Sequence, residues 1–148
     1  AVWCVSDGGH LIPMLAYAKM EGTKHMDRLV HEDAVAAVEL GKSRLELNDM
    51  DADDAALIYD GRIQLKDGKT DSIIVELRTY FSPTSKATIA IPYTPKGSGA
   101  FKVHKPKVLQ WDDCEDFDIG ATYEYFFRGV SNHEQGAKVW NVALDESK

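Results

Sequence analysis

Residues 55–93 carry apolar side chains at every second position, and this alternation constrains the fold more than any other feature of the sequence. A two-residue period is that of a β-strand with one buried face. Two stretches rich in turn-forming residues, Asp67-Gly68-Lys69 and Ser82-Pro83-Thr84-Ser85, divide the pattern into three runs. The sequence therefore predicts an antiparallel meander with strands at about 56–66, 70–80 and 86–93, and possibly a fourth at 101–109.

The register of this meander can be predicted from parity, because paired residues on neighbouring strands point to the same face. A three-residue loop at 67–69 would bring two apolar sets together on one face: Tyr59, Ile63 and Leu65 with Ile73, Val75 and Leu77. Gly61 then lies inside the first strand, which predicts a bulge or the close approach of another backbone. The opposite face of the meander is expected to be polar.

Two helices are predicted before the meander. Pro13 is suited to the first turn of a helix over 14–21, and Gly22 is a natural stop. The segment 31–46 has acidic residues near its start, basic residues near its end and an apolar stripe at helical spacing, so it predicts a second helix.

The last third of the chain predicts a helix pair. From Ile119 onward, apolar residues are spaced alternately by four and three positions, as on one face of a helix. Gly129 is a plausible stop, and Ser131 with Glu134 matches a capping box, in which two side chains satisfy free backbone amides. These signals place the two helices at about 120–128 and 132–146.

Together these elements predict one α+β domain covering residues 1–148. In this arrangement the N-terminal helices and the C-terminal helix pair pack on one face of an antiparallel sheet. A chain of 148 residues is long enough to bury a substantial core.

The charge and cysteine content narrow the classes of function. The net charge of −7 disfavours nucleic-acid binding, which depends on clustered lysine and arginine. No apolar run approaches the length needed to cross a membrane. Cys4 and Cys114 are too few for a disulfide framework, so a reducing cytoplasmic location is expected.

A segment rich in lysine is the most suggestive binding feature of the sequence. It lies beside a Gly-Ser-Gly loop whose backbone amides could approach an anion, and it precedes an abrupt change to acidic residues at 112–118. The sequence predicts that it binds a small anion or an acidic partner, or that its lysines protect a sheet edge from pairing. The residues of this lysine strap are Lys96, Ser98, Lys102, His104, Lys105 and Lys107.

A second candidate site combines Asp60 with the Glu76-Leu77-Arg78 triplet. An acid on one strand and an acid-x-base triplet on the next loosely resemble the PD-(D/E)xK nuclease pattern over about 20 residues. The resemblance implies that the two acids hold a divalent metal that activates water for phosphodiester attack. The chain departs from the pattern in having Arg78 in place of lysine and no proline before Asp60.

The sequence favours a noncatalytic binding or accessory protein over an enzyme. No motif for a nucleophile, a metal cage or a phosphate loop is present, so no cofactor is predicted. The expected partner is a protein surface or a small anionic ligand, with self-association as a further possibility. The alternative hypothesis is a metal-dependent phosphodiester hydrolase using Asp60 and Glu76.

Overall fold

The computed structural model describes residues 1–147, which form four α-helices and an eight-stranded, mostly antiparallel sheet. The α+β class predicted from the sequence is confirmed, but the sheet has eight strands where three or four were expected. In chain order the elements are α1 (Val2–Ser6), β1 (Met14–Ala18), β2 (Lys24–Arg28), α2 (Ala34–Leu47), β3 (Asp54–Leu65), β4 (Gly68–Thr79), β5 (Lys86–Thr94), β6 (Lys102–His104), β7 (Lys107–Asp112), α3 (Ile119–Asn132), α4 (Glu134–Ala143) and β8 (Leu144–Asp145).

The predicted meander forms the centre of the sheet. Strands pair in the order β2-β1-β3-β4-β5, and two short strands share the far edge of β5, with β7 beside its first half and β6 beside its end. β8 runs parallel to β6. The possible fourth strand at 101–109 is thus divided in two at Lys105-Pro106, because proline has no N–H to give to the ladder.

The segment 14–21 is not a helix, contrary to the sequence prediction. Met14–Ala18 is a strand that pairs with both β2 and β3, and Gly22 adopts a φ of +82° in the turn between β1 and β2. A short run that is apolar on every side suits a strand covered on both faces as well as it suits a buried helix. Here the segment is a strand because its backbone pairs with β2 on one edge and with β3 on the other.

The predicted register between β3 and β4 is also wrong. The turn has two residues, Lys66 and Asp67, so that Leu65 pairs with Gly68 and Tyr59 pairs with Ile74. The ladder continues through Gly61 without a bulge, and its close neighbour is the Ile74 side chain rather than a backbone. The parity argument failed because it assumed that a single face of the meander is buried.

Both faces of the sheet are in fact covered at least in part. On one face, Leu57 and Leu15 form a core with Leu45 of α2, and we call this the α2 face. On the other, Ile73 and Ile91 form a core that includes residues of α1 and α4, namely Val5 and Trp140. The helices therefore cover both faces of the sheet, and the prediction that they pack on one face is wrong.

Helix α2 begins and ends close to its predicted bounds of 31–46. The Asp33 carboxylate caps it by accepting a hydrogen bond from the Val35 amide at 2.8 Å, and Asn48 ends it in a left-handed conformation. Gly41 lets the helix approach the sheet closely, because a Cβ at this position would lie 2.5 Å from Leu57 Cδ1. This close contact places α2 over β3.

The C-terminal helix pair is present with different bounds. Helix α3 continues through Gly129 to Asn132, and the cap of α4 is His133, whose Nδ1 accepts a hydrogen bond from the Gly136 amide at 2.9 Å. Ser131, the predicted cap, lies inside α3. Among residues 1–147, no helix is long and apolar enough to cross a membrane.

Candidate functional site

An open groove lies on the face of the sheet opposite α2, and we call this the groove face. Its floor is a row of side chains that crosses five strands through successive pairings, from β1 to β3, β4, β5 and β7. We call this the alanine row: Ala16, Ala56, Leu77, Ala87 and Trp111. Three of its five members have the smallest side chain that carries a Cβ.

The groove exists because side chains become smaller along the strands. The row two residues away on the same face consists of larger side chains, namely Met14, Ile58, Val75, Ile89 and Val108. Met14 belongs to the core that α1 and α4 help to form, with Ile58 and Val75 packed against it, whereas the alanine row lines an open space of about 430 Å³. A mostly apolar space of this size is typical of small-molecule sites.

One wall of the groove comes from the segment between β7 and α3. Cys114 is buried, Phe117 is 42% exposed, and Thr122 follows in the first turns of α3. Asp118 starts that helix, because its carboxylate accepts hydrogen bonds from the Gly120 and Ala121 amides at 2.7 and 3.2 Å. The wall is thus held by a helix cap at one end and by a buried thiol at the other.

Three of the hydroxyl and thiol groups that line the groove donate to backbone carbonyls. Ser85 Oγ donates to the Asp113 carbonyl, and Thr122 Oγ1 donates to the Asp118 carbonyl at 3.0 Å. Cys114 Sγ donates to the Asp112 carbonyl at 3.1 Å, and burial raises the pKa of this thiol. None of the three is activated by an adjacent base, which a nucleophile in a catalytic site requires.

Charged side chains lie at the open end of the groove. Lys24 and Asp54 pair with Ala18 from its two sides, so one cation and one anion lie on the groove face with strand β1 between them. Arg78 also borders the groove, but its guanidinium is on the α2 face, where Nη2 lies 2.7 Å from Glu46 Oε1. This contact, together with one from Lys86, holds the pKa of Glu46 below its usual range.

Three lysines of the lysine strap are paired with carboxylates. Lys96 lies 3.5 Å from Asp7, Lys102 lies 2.8 Å from Asp145, and Lys105 lies 3.9 Å from Glu146. The bond from Lys102 lowers the pKa of the Asp145 carboxyl. An anion at the strap would have to displace these carboxylates. Lys107 lies on β7 opposite Ala90.

The remaining strap residues have structural contacts. His104 is buried, and its Nδ1 faces the Asp145 carbonyl at 3.2 Å, so in the neutral ring Nδ1 donates and Nε2 accepts from Thr94 Oγ1. Ser98 is exposed in a short 3₁₀ turn, where its amide donates to the Pro95 carbonyl.

The structure does not bring Asp60 and Glu76 together. Asp60 pairs with Ile73 and lies on the groove face, where it accepts a hydrogen bond from the Tyr93 hydroxyl at 2.8 Å. Glu76 lies on the α2 face and accepts from the Tyr59 hydroxyl at 2.7 Å. Two carboxylates on opposite faces cannot share a metal ion, and residues 1–147 contain no cluster of three or more histidine, cysteine or acidic side chains arranged to hold one.

The groove residues were not identified from the sequence. The signal that could have found them is the recurrence of alanine at alternate positions, as in Ala16 and Ala18 of β1. That signal has meaning only when β1 is recognised as a strand and the register across five strands is known.

A second hollow lies beside Trp140, at the end of the molecule where α3 and α4 meet. Tyr123, Phe127 and Leu144 contribute to its lining, and Lys105 and Glu146 stand at its edge. This hollow is the alternative to the groove as a binding site for an apolar group.

Comparison of the chain with family models, with curated proteins and with solved structures finds no significant match.

Proposed function

We propose that this protein is a noncatalytic binding protein and that its ligand is a small, mainly apolar molecule held in the groove over the alanine row. The observation that carries the proposal is the groove itself, an apolar space of about 430 Å³ on the open part of a sheet. Burial of apolar ligand surface there provides the free energy of binding, at about 25 cal/mol per Å² before the costs of association.

The chemistry of the lining supports binding rather than catalysis. Ser85, Cys114 and Thr122 each donate to a carbonyl and lack a partner base. A reducing, cytoplasmic compartment belongs to the same proposal, because Cys4 and Cys114 are both free thiols.

The proposal can be tested by filling the groove. Ala56 lies in the alanine row between Ala16 and Leu77, so a leucine at this position places three further carbon atoms inside the space. We expect Ala56→Leu to weaken binding of N-phenyl-1-naphthylamine, an uncharged dye whose emission rises in apolar surroundings, by about tenfold or more, because overlap with packed atoms is costly. Fluorescence titration of wild type and variant measures this effect.

Gln64→Leu is the matched control. It introduces the same side chain on the same face of β3, eight residues away, and so about 26 Å along the strand. This variant should bind the dye as wild type does. Ala16→Leu, on the neighbouring strand, repeats the test if Ala56→Leu does not fold. Equal dye affinity in a folded groove-filling variant and in wild type would contradict the proposal, as would the absence of dye binding to wild type.

A further inference from the structure

The floor of the groove is long and narrow. From Ala16 on β1 to Ala87 on β5, the alanine row crosses three strand spacings, which is about 14 Å. Along the strands the floor is shorter. The row that contains Ile58 bounds it on one side, and on the other side β3 and β4 end at Asp54 and Thr79, about 7 Å from the alanine row. The space is therefore elongated across the strands.

The end of the groove at β5 and β7 is closed by buried side chains. Trp111 is the last member of the alanine row and lies on β7, which in the described part of the chain pairs with β5 alone. The wall follows directly, because Cys114 Sγ donates to the Asp112 carbonyl and lies 3.7 Å from the Lys86 carbonyl, in the pair next to Trp111 and Ala87. Ala87 and Cys114 are only 7% and 4% exposed.

The opposite end of the groove is open and polar. Ala16 and Ala56 are partly exposed, and beyond them lies the edge strand β2, most of whose side chains are exposed. Lys24 and Asp54, the charged residues on the groove face at this end, are exposed as well. The groove thus leads from a polar opening at the β1–β2 edge to a closed apolar end at Trp111.

A ligand that fills such a groove must itself be elongated, apolar over most of its length and polar at one end. With a carbon–carbon bond of about 1.5 Å and a bond angle of about 111°, an extended alkyl chain advances about 1.25 Å per carbon. The 14 Å between Ala16 and Ala87 therefore correspond to about eleven carbons.

We infer that the ligand of the groove is a single-chain amphiphile, with an unbranched alkyl chain of about ten to twelve carbons and a polar group at one end. The methyl end of the chain lies against Trp111, and the polar group lies at the β1–β2 edge, where water and the charged side chains can solvate it. The inference rests on the proposed function, because it specifies the chemistry of the ligand for the same site.

A series of linear alcohols from 1-hexanol to 1-tetradecanol tests the length of the groove. Each alcohol is used to displace N-phenyl-1-naphthylamine from the wild-type protein. Competition should strengthen by about three- to fourfold for each added methylene while the chain is still shorter than the floor. It should level off at about ten to twelve carbons, because further methylenes extend past Ala16 into water.

A pair of alcohols with the same number of carbons tests the shape of the groove. 1-Dodecanol is linear, whereas cyclododecanol is a compact ring that is too wide to lie along the alanine row. We expect cyclododecanol to compete about tenfold less strongly than 1-dodecanol, because it overlaps packed side chains or leaves part of the floor uncovered.

The variant Trp111→Val tests which end of the groove is closed. Removing the indole should lengthen the floor by one strand spacing, about 4.8 Å, and valine is well suited to a strand. For this variant 1-tetradecanol should compete about tenfold more strongly than 1-dodecanol, whereas the two should be equal for wild type. Trp3→Val, the same substitution at a half-exposed position on α1, should leave the levelling point unchanged.

The outcomes separate the inference from the proposed function. A steady gain through 1-tetradecanol in wild type, equal or stronger competition by cyclododecanol, or an unchanged levelling point in folded Trp111→Val would overturn the inference while the groove remained a binding site. If Trp111→Val does not fold, the two wild-type measurements decide. If the dye does not bind, or if Ala56→Leu leaves its affinity unchanged, the proposed function fails and the inference fails with it.

Discussion

Single side chains on the groove face show how burial and charge compete in this protein. The Asp60 carboxylate lies next to Tyr93, near the end of β5. Partial burial raises the pKa of this carboxyl despite the hydrogen bond from the Tyr93 hydroxyl. Burial, and then the contact with Asp60, raises the pKa of the Tyr93 hydroxyl. Asp60 is thus a carboxylate whose charge opposes folding, rather than a group prepared for metal binding.

The raised pKa of Asp60 gives a pH dependence of known sign. A carboxyl with a higher pKa in the folded state favours folding when protonated, so its contribution is complete below the unfolded pKa and is lost as the pH rises through the folded pKa. We therefore expect Asp60→Asn, which keeps an acceptor for Tyr93, to be more stable than wild type at neutral pH. Because the side chain is partly exposed, the gain should be below about 1 kcal/mol.

Denaturant unfolding of both proteins from neutral to acidic pH measures this difference. The advantage of Asp60→Asn should shrink as the pH falls and disappear below the unfolded pKa of an aspartate. Asp67→Asn, at the exposed turn, provides the control for a change in net charge. A stability difference that is constant with pH would show that Asp60 is not shifted in this direction.

At the scale of elements, the start of α4 can be capped in two ways, by Ser131 in a capping box or by the His133 ring. The segment Ser131-Asn132-His133-Glu134 matches a capping box, yet the observed cap is the His133 ring, which accepts from the Gly136 amide. His133→Ala should lower the free energy of unfolding by about 1 kcal/mol, because it leaves an orphan amide at the helix start. His133→Asn should recover most of that loss, since asparagine is a strong cap.

Ser131→Ala is the informative control for this prediction. Serine is the cap in the sequence-based interpretation, whereas in the structure it lies within α3. The alanine variant should therefore unfold at the same denaturant concentration as wild type or slightly above it. A loss of about 1 kcal/mol in Ser131→Ala together with no loss in His133→Ala would restore the capping box.

The sequence predicts the bounds of the strands better than it predicts which of their faces are buried. The bounds of β3, β4 and β5 agree with the alternating pattern to within two residues, because a long two-residue period with turn residues at its ends has few other solutions. The segment 14–21 was misassigned because its composition is equally compatible with a buried helix. The register was misassigned because alternation cannot show that both faces of a strand are covered.

The same limit explains why the groove could not be predicted. Ala16, Ala56 and Ala87 lie far apart in sequence, and each is an ordinary strand residue by itself. They become a floor only through pairings across three strand interfaces, so an error of one residue in a single register would move part of the row to the α2 face. The lysine strap, by contrast, was visible in sequence, but its ion pairs depend on Asp7 and on the C-terminal residues that fold back beside β6.

At the scale of the whole molecule, the groove face has two regions with different cover. One region is closed by α1 and α4 around Trp140, while the other is open above Ala56. Amide hydrogen exchange should reflect this division, with slow exchange in β4, which is paired on both edges, and fast exchange in β2, which is an exposed edge strand. The wall segment 113–118 should also exchange quickly, because it is mostly exposed.

Exchange measured with and without N-phenyl-1-naphthylamine locates the ligand on this framework. A ligand over the alanine row should slow exchange in β1, in the first half of β3 and above all in the wall segment. The reason is that the ligand binds only when these parts are folded, so it makes their local unfolding less frequent. Exchange near Val103 and Trp140 should be unchanged. If the dye instead protects that region and leaves the wall segment unaffected, the hollow beside Trp140 is where apolar molecules bind, and the groove above the alanine row is not.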